Sequence, residues 1–315
     1  MPSSEILVQP LARRLGLLLL RRGSLLALLL ILAVFAVSAP NFLSPGNIAN
    51  VFAQSAILGI LAFGLTCVVI GGGSNVVSGG LDLSLAANLG LCAAVYSSLN
   101  NAGLNAAQAI GLTLLCGLAV GALNGFTVVV LRLPPLLATL ASMNLIAGLE
   151  LVLTQNSVLP TDSALLDILA TDEWLRVPVL AWVLLGVALL LGLLIQHSPY
   201  GLRLYAVGEY PQAARAAGLG VGRYVFSAAF FSGSTTGSGD MLLSVVAIAF
   251  LGVVFSRRLV ANIPGTLLAT LLLGFLINGF QLLNIASFWV NGVQGVLILL
   301  VVAMSSALRK EEGGQ

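Results

Sequence analysis

The spacing of the positive charges constrains this chain most. Long apolar runs fill the sequence, and Lys and Arg stand only in the gaps between them. Arg13, Arg14, Arg21 and Arg22 precede the first run. Arg132 stands alone, and Arg203, Arg215 and Arg223 share one polar loop. Arg257 and Arg258 form a pair, and Arg309 and Lys310 lie in the last residues. A helix needs about 20 apolar residues to cross a bilayer, and the runs reach that length. If the chain crosses twice between groups, all 13 Lys and Arg except Arg176 fall on one side. That asymmetry is the positive-inside pattern of a polytopic inner-membrane protein.

Composition agrees. Hydrophobic residues make up 59% of the chain and charged residues 8%, where a soluble domain carries about 25% charge. Lipid is therefore the expected solvent. Backbone in lipid must satisfy its own hydrogen bonds, and the segments lack the in/out alternation of a barrel, so helices follow. The expected fold is all-α, with about ten spans near 24–39, 48–70, 83–99, 107–131, 136–153, 178–196, 224–237, 241–256, 264–283 and 286–307. Residues 1–23 form a cytoplasmic N-terminal segment, 24–307 one transmembrane domain and 308–315 a cytoplasmic tail. Both termini are thus expected in the cytoplasm. The first apolar run, Ser24 to Pro40, lacks a small-residue cleavage site and reads as an anchor. No basic face is dense enough to track phosphates, which argues against nucleic acid as a partner. Cys67, Cys92 and Cys116 match no metal or redox spacing and read as packing residues. No cofactor is expected.

Three connections stand out. Residues 154–177 carry Asp162, Asp167, Asp172 and Glu173 against Arg176. They read as an outer loop, either simply solvated or meeting a soluble partner. Residues 197–223 form the longest inner loop. Within it, Pro211-Gln-Ala-Ala-Arg-Ala-Ala-Gly218 has a Pro to start a short helix and a Gly to end it. Residues 224–256 offer 33 positions where two full spans need about 40. Their polar middle, Ser232 to Asp240, implies two short tilted helices or a re-entrant pair, covered by protein or lining a cavity.

The densest motif runs from Gly71 to Leu85. Glycines break the chain, then Asp82 and Ser84 stand at the next helix start, where a carboxylate meets the positive end of the helix dipole and either side chain can cap free amides. A capped helix start is the plain structural reading. The stretch Gly79-Gly80-Leu-Asp82-Leu-Ser84-Leu85 also resembles the Gly-Gly-Ile-Asp-Leu-Ser signature of ribose-type ABC importer permeases. Tyr200-Gly-Leu-Arg-Leu-Tyr-Ala-Val-Gly208, followed by Ala213-Ala-Arg-Ala-Ala-Gly218, resembles the family's cytoplasmic coupling segment. Gly265-Thr266, Leu276-Ile-Asn-Gly-Phe280 and the stretch from Phe288 to Gln294 resemble its last two spans.

The resemblance covers most of residues 40–307. It implies a permease subunit that pairs with a second, homologous or identical, permease subunit. Two cytoplasmic ABC ATPases would drive it, and a periplasmic or lipoprotein sugar-binding protein would supply it. It places ATPase coupling at Glu209, Gln212, Ala213, Ala214, Arg215 and Gly218. The chain itself agrees on one point. Its single lysine, Lys310, lies in Arg-Lys-Glu-Glu, so no phosphate-binding Gly-x-x-x-x-Gly-Lys-Ser/Thr loop exists. Any ATP that drives transport must bind another polypeptide. The chain also departs from the family. Gln212 replaces the acidic residue usual before Ala-Ala, and about one helix's length is missing between Phe231 and Asp240. Arg257-Arg258 replaces part of a glycine-rich stretch.

Polar side chains within spans are the candidate translocation path: Gln54, Asn88, Asn124, Asn278 and Gln281, with Asn144. Buried amides in lipid face other helices or a cavity, so interhelical hydrogen bonding is the alternative for each. Gly117, Gly121 and Gly125 recur every four residues and predict a smooth face for close helix packing. Glu150, near the outer end of its span, is placed to snorkel outward. Gly237-Ser-Gly-Asp240 fits an intramembrane aspartyl protease pattern, but Asp82, near a span end, is the only second aspartate on offer. The single histidine, His197, has no positioned serine to activate.

The sequence therefore reads as the transmembrane subunit of an ATP-driven importer for a monosaccharide or similar polar solute, and not as an enzyme. A branched-chain amino acid permease of the same superfamily and an ion-coupled secondary transporter are the alternatives. The latter needs ionisable residues near the midplane and no docking helix.

Overall fold

The structure is a computed structural model that describes residues 28–73, 80–232, 241–256 and 260–285, with single positions between 289 and 299. Gly79, Asp240, Arg257, Arg258, the middle of the expected 224–256 pair and the expected last span lie outside the described residues.

In chain order the helices are α1 (Leu28–Ser38), α2 (Pro45–Gly72), α3 (Leu85–Asn101), α4 (Ala106–Val129), α5 (Pro135–Thr154), α6 (Ala164–Thr171), α7 (Val179–Gln196), α8 (Pro199–Glu209), α9 (Pro211–Ala216), α10 (Val221–Ser232), α11 (Leu242–Val254) and α12 (Ile263–Leu282). Among the described residues, α2, α4, α5, α7 and α12 are long and apolar enough to cross a membrane, and α1 and α11 are shorter apolar helices. The chain is thus a helical, multi-pass membrane protein. Among the described residues, helix ends fall within a few residues of the expected boundaries. At 13 residues, α11 is too short to cross about 30 Å of hydrocarbon at 1.5 Å per residue, and the described part of α10 holds 12 residues.

Helix starts follow from local chemistry. The Ser44 side chain accepts from the Asn47 amide at 3.2 Å ahead of Pro45. Asn105 and Gln108 form a reciprocal capping box for α4, and Asn262 accepts from the Gly265 amide at 2.7 Å to open α12. Each satisfies amide groups that an uncapped helix start would leave exposed to lipid or protein.

The helices form two groups. In the first, α2 is the axis, surrounded by α7, α10, α11 and α12, with α8 against its end. Phe63, Leu65, Leu184, Leu204, Ile248 and Leu273 pack in this core. The Thr66 and Thr266 hydroxyls meet at 2.8 Å between α2 and α12. In the second group, α3 lies against α4 and α5 around Leu91, Val120 and Ile146. Helix α10 touches both α2 and α4 and joins the groups.

The 154–177 connection is more structured than a plain loop. It contains α6 and a two-stranded antiparallel hairpin, Glu173–Trp174 (β1) with Val177–Pro178 (β2), in register Glu173 to Pro178 and Trp174 to Val177. Trp182 Nε1 donates to the Trp174 carbonyl at 3.2 Å, which fastens the hairpin to the start of α7.

Candidate functional site

The site builds from the break after α2. Gly73 takes φ +88°, a left-handed conformation that glycine adopts without strain. The chain returns at Gly80, packed so closely on the Val68 carbonyl that a Cβ there would strike it. The motif is thereby held beside the last turns of α2 rather than beyond them. Asp82 and Ser84 are both buried. The Ser84 amide donates to Asp82 Oδ1 at 2.9 Å and the Ser84 hydroxyl donates to the same oxygen at 2.6 Å.

Asn124, from the last third of α4, completes the network. Its Nδ2 donates to Ser84 Oγ at 2.6 Å and, more weakly, to both Asp82 oxygens at 3.4 Å. Its Oδ1 is buried with no hydrogen-bond partner among the described residues. Beside it lies a cavity of about 40 Å³ lined by Gly72, Asp82, Asn124, Thr139 and Ala229, among others. Such a cavity has room for water but is far below the roughly 300 Å³ at which ligand pockets begin. Thr139 Oγ1, on α5, reaches the Leu81 carbonyl at 3.4 Å. The signature therefore acts as a polar latch that ties the α2 break and the α3 start to α4 and α5. It holds a carboxylate, a hydroxyl and an amide.

The second part of the site lies outside the spans. The inner loop expected to hold one short helix holds two, α8 and α9. Helix α9, Pro211–Ala216, ends as expected, with Gly218 at φ +81°. Gln212, Ala213, Arg215 and Gly218 are exposed, as is Glu209 at the end of α8, while Ala214 is buried. The sequence reading missed α8, which connects this exposed surface to the spans. Leu204 and Val207 are buried under it. Tyr200 Oη pairs with Ser227 Oγ of α10 at 2.7 Å, and Tyr205 Oη donates to the Ala261 carbonyl before α12 at 2.7 Å. Burial pushes the Tyr205 phenol up to about 12. At its far end Gly208 lies on the Ile70 carbonyl, where any Cβ would collide, and its own carbonyl faces Gly73. Helix α8 thus touches α10, the α12 start and the α2 break that leads to Asp82.

The remaining candidate residues stand in different surroundings. Asn278 exchanges amide hydrogen bonds with Asn47 at 2.8 and 3.0 Å, joining α12 to the start of α2. Asn88 is buried in α3 and accepts from Cys92 Sγ at 3.6 Å. Gln54 and Gln281 are exposed. Asn144 is exposed too and donates to the Leu140 carbonyl one turn back. Glu150 does not turn outward. Its carboxylate lies over Gly90 of α3, in a cleft of about 420 Å³ between α3 and α5. His197 is exposed at the end of α7, with Nδ1 3.4 Å from the Gly192 carbonyl.

Residues 47–243 match the family described as branched-chain amino acid transport system / permease component. The chain belongs to this permease family. The matched span contains the Asp82 latch, α8, α9 and the α4–α10 contact, and ends at the second residue of α11. Among curated relatives, the ribose import permease protein of Escherichia coli K12 is 30% identical over 310 residues, covering 91% of this chain and 94% of the relative. The ribose import permease protein of Bacillus subtilis 168 is 29% identical, covering 90% and 91%. An autoinducer 2 import system permease protein of Photorhabdus laumondii is 26% identical, covering 91% and 89%. No solved structure matches the chain.

Proposed function

We propose that this permease is the transmembrane subunit of an ATP-driven importer that moves a monosaccharide, ribose-like in size and polarity, into the cytoplasm. The observation that carries this reading is the α8–α9 unit. A helix pair outside the spans, with an exposed small-residue face at Gln212, Ala213 and Gly218, serves no purpose in merely joining α7 to α10. It suits a docking element for a separate ATPase, since the chain has no phosphate-binding loop of its own. ATPase closure pushes on α9, α8 passes the displacement to α10 and the α2 break, and the Asp82 latch holds α3 and α4 in step.

A second permease subunit completes the pathway, and an extracytoplasmic binding protein delivers the solute to it. Selection belongs to the binding protein, in keeping with the scatter of Gln54, Asn88, Asn124, Asn278 and Gln281. Both termini and the α8–α9 unit face the cytoplasm, which puts all of the Lys and Arg except Arg176 on that side. The sugar reading rests on the Asp82-Leu-Ser84 signature and on the ribose and autoinducer 2 relatives. The family description keeps a branched-chain amino acid as the second reading.

The test is mild-detergent purification of tagged protein from its host's membranes, with mass spectrometry of the co-purifying proteins and uptake of labelled ribose and leucine in the same strain. Recovery of a P-loop ATPase, lost on Ala213→Asp, together with ribose uptake is the expected result. Leucine uptake would replace the substrate. Undiminished uptake by a chain that recovers no ATPase would replace the mechanism with ion coupling.

A further inference from the structure

A cleft of about 600 Å³ opens beside α9, lined by Val129, Leu219, Val221, Phe226, Arg215 and Arg223 together with two glycines. Its walls are apolar apart from the two guanidiniums, and no acidic side chain lines it. Neither guanidinium makes an ion pair or hydrogen bond among the described residues. Arg132 follows α4 at this same end, three residues past Val129. The cleft lies where a membrane-spanning helix, α4, leaves the bilayer.

An apolar lane leads into it. Leu115, Leu123 and Phe126 of α4 and its C-cap residue Val130 are all exposed and recur at three-, four- and eight-residue steps, one lane of a helix. They run beside the face where Gly125 meets the Phe226 ring. A ligand that satisfies both features is an anion with a long apolar tail. Free phosphate would leave the apolar walls bare, and a neutral lipid would leave the arginines unpaired.

We infer that the cleft between the end of α4 and the α9–α10 turn binds an anionic phospholipid of the adjoining leaflet. Its phosphate is held by Arg215 and Arg223, and an acyl chain lies along Leu123, Phe126 and Val130. Guanidinium forks suit phosphate oxygens, which they bind in pairs. Because Arg215 stands on α9, the lipid would tether the proposed docking helix to the membrane surface, and headgroup charge would tune how firmly α9 is held. The site needs only that α4 span the membrane, so it stands or falls apart from the transport reading.

The test is native mass spectrometry of the delipidated full-length protein titrated with phosphatidylglycerol, phosphatidylcholine or inorganic phosphate. Phosphatidylglycerol is expected to be retained in preference to phosphatidylcholine and not displaced by equimolar inorganic phosphate. Each guanidinium near the membrane surface is worth about fivefold. Arg215→Gln and Arg223→Gln should each weaken retention by about that factor and the double variant by about 25-fold. Arg203→Gln, exposed on α8 away from the cleft, should leave it unchanged. Equal retention of the two lipids, or full retention by the double variant, overturns the proposal. Displacement by inorganic phosphate would make the cleft a free-anion site. Equal retention combined with loss of ATPase co-purification in the double variant would assign the arginines to a protein partner.

Discussion

Helices α2 and α4 are both apolar enough to cross a membrane, yet the structure uses them differently. In the most apolar stretch of α2, 78% of residues are buried, against 28% in α4 and 22% in α5. One helix is the axis of a packed group, and the others keep most of their faces for lipid or a second chain. In lipid, apolar composition gives no preference for a protein neighbour, because the tails are as apolar as leucine. Association instead depends on close van der Waals fit and a few interhelical hydrogen bonds. Those features are unequally shared. The α2 group has the Thr66–Thr266 and Asn47–Asn278 pairs and the Gly208 contact. The α3–α5 group has one small apolar cluster and the Asp82 latch, and α10 holds it to the rest.

The largest effect should come from forcing the groups apart. Gly121 of α4 lies against the backbone of Ala229 and Phe230 of α10, where a Cβ would meet the Phe230 carbonyl at 2.7 Å. Backbone cannot move aside as a side chain can, so Gly121→Leu is expected to cost at least about 3 kcal/mol. The measurement is thermal stability by fluorescence-detected size exclusion, with a marked loss of monodisperse protein. If Gly121→Leu behaves like wild type, α10 does not join the groups as described.

Next comes the latch. Asn124→Leu removes the amide that donates to Ser84 Oγ and, more weakly, to Asp82, an expected cost of about 1–3 kcal/mol. Asp82→Asn keeps the shape and removes the charge. Asn124→Leu is expected to lower both stability and transport, and Asp82→Asn to lower transport more than melting temperature. Equal losses in both readouts for Asp82→Asn would reduce the latch to a structural contact. Within the α2 group, Thr66→Val removes one interhelical hydrogen bond, worth about 0.6 kcal/mol. Its melting shift should be far smaller than that of Asn124→Leu.

The same contrast explains what could be read from residues alone. Span positions were legible because length and apolarity alone decide them in lipid. Asp82 and Ser84 were legible as a helix start but not as its caps: the Ser84 side chain makes no capping hydrogen bond to α3 and donates to Asp82 instead. The direction in which each in-span amide points was not, because composition carries no rotational information. Asn124 turned inward to Ser84, 40 positions away in sequence, while Gln54 and Gln281 turned out. Helix α8 was missed for a related reason. Its 11 residues are too few to read as a span, and what packs on Leu204 is the end of α2, far off in sequence. Glu150 was read as snorkelling from its depth. The missing side chain of Gly90, 60 residues earlier, lets it lie against α3 instead.

The smallest effect is the one that tests whether the outer faces of α4 and α5 are free. Gly111 of α4 and Gly148 of α5 have nothing within 4 Å of where a Cβ would stand. In a chain whose second group faces only lipid there, leucine at either position adds apolar surface to an apolar solvent. Stability should then stay within about 0.5 kcal/mol of wild type. The decisive readout is the difference between the isolated chain in detergent and the same variant purified as a complex. Unchanged melting in both leaves these faces to lipid. Unchanged melting of the isolated chain with loss of a co-purifying permease subunit would place the partner on Gly111 or Gly148. The low burial of α4 and α5 would then mark a subunit interface. A melting loss of several kcal/mol in the isolated chain would instead mean that these faces are already packed within it, and the distinction between the two groups would fail.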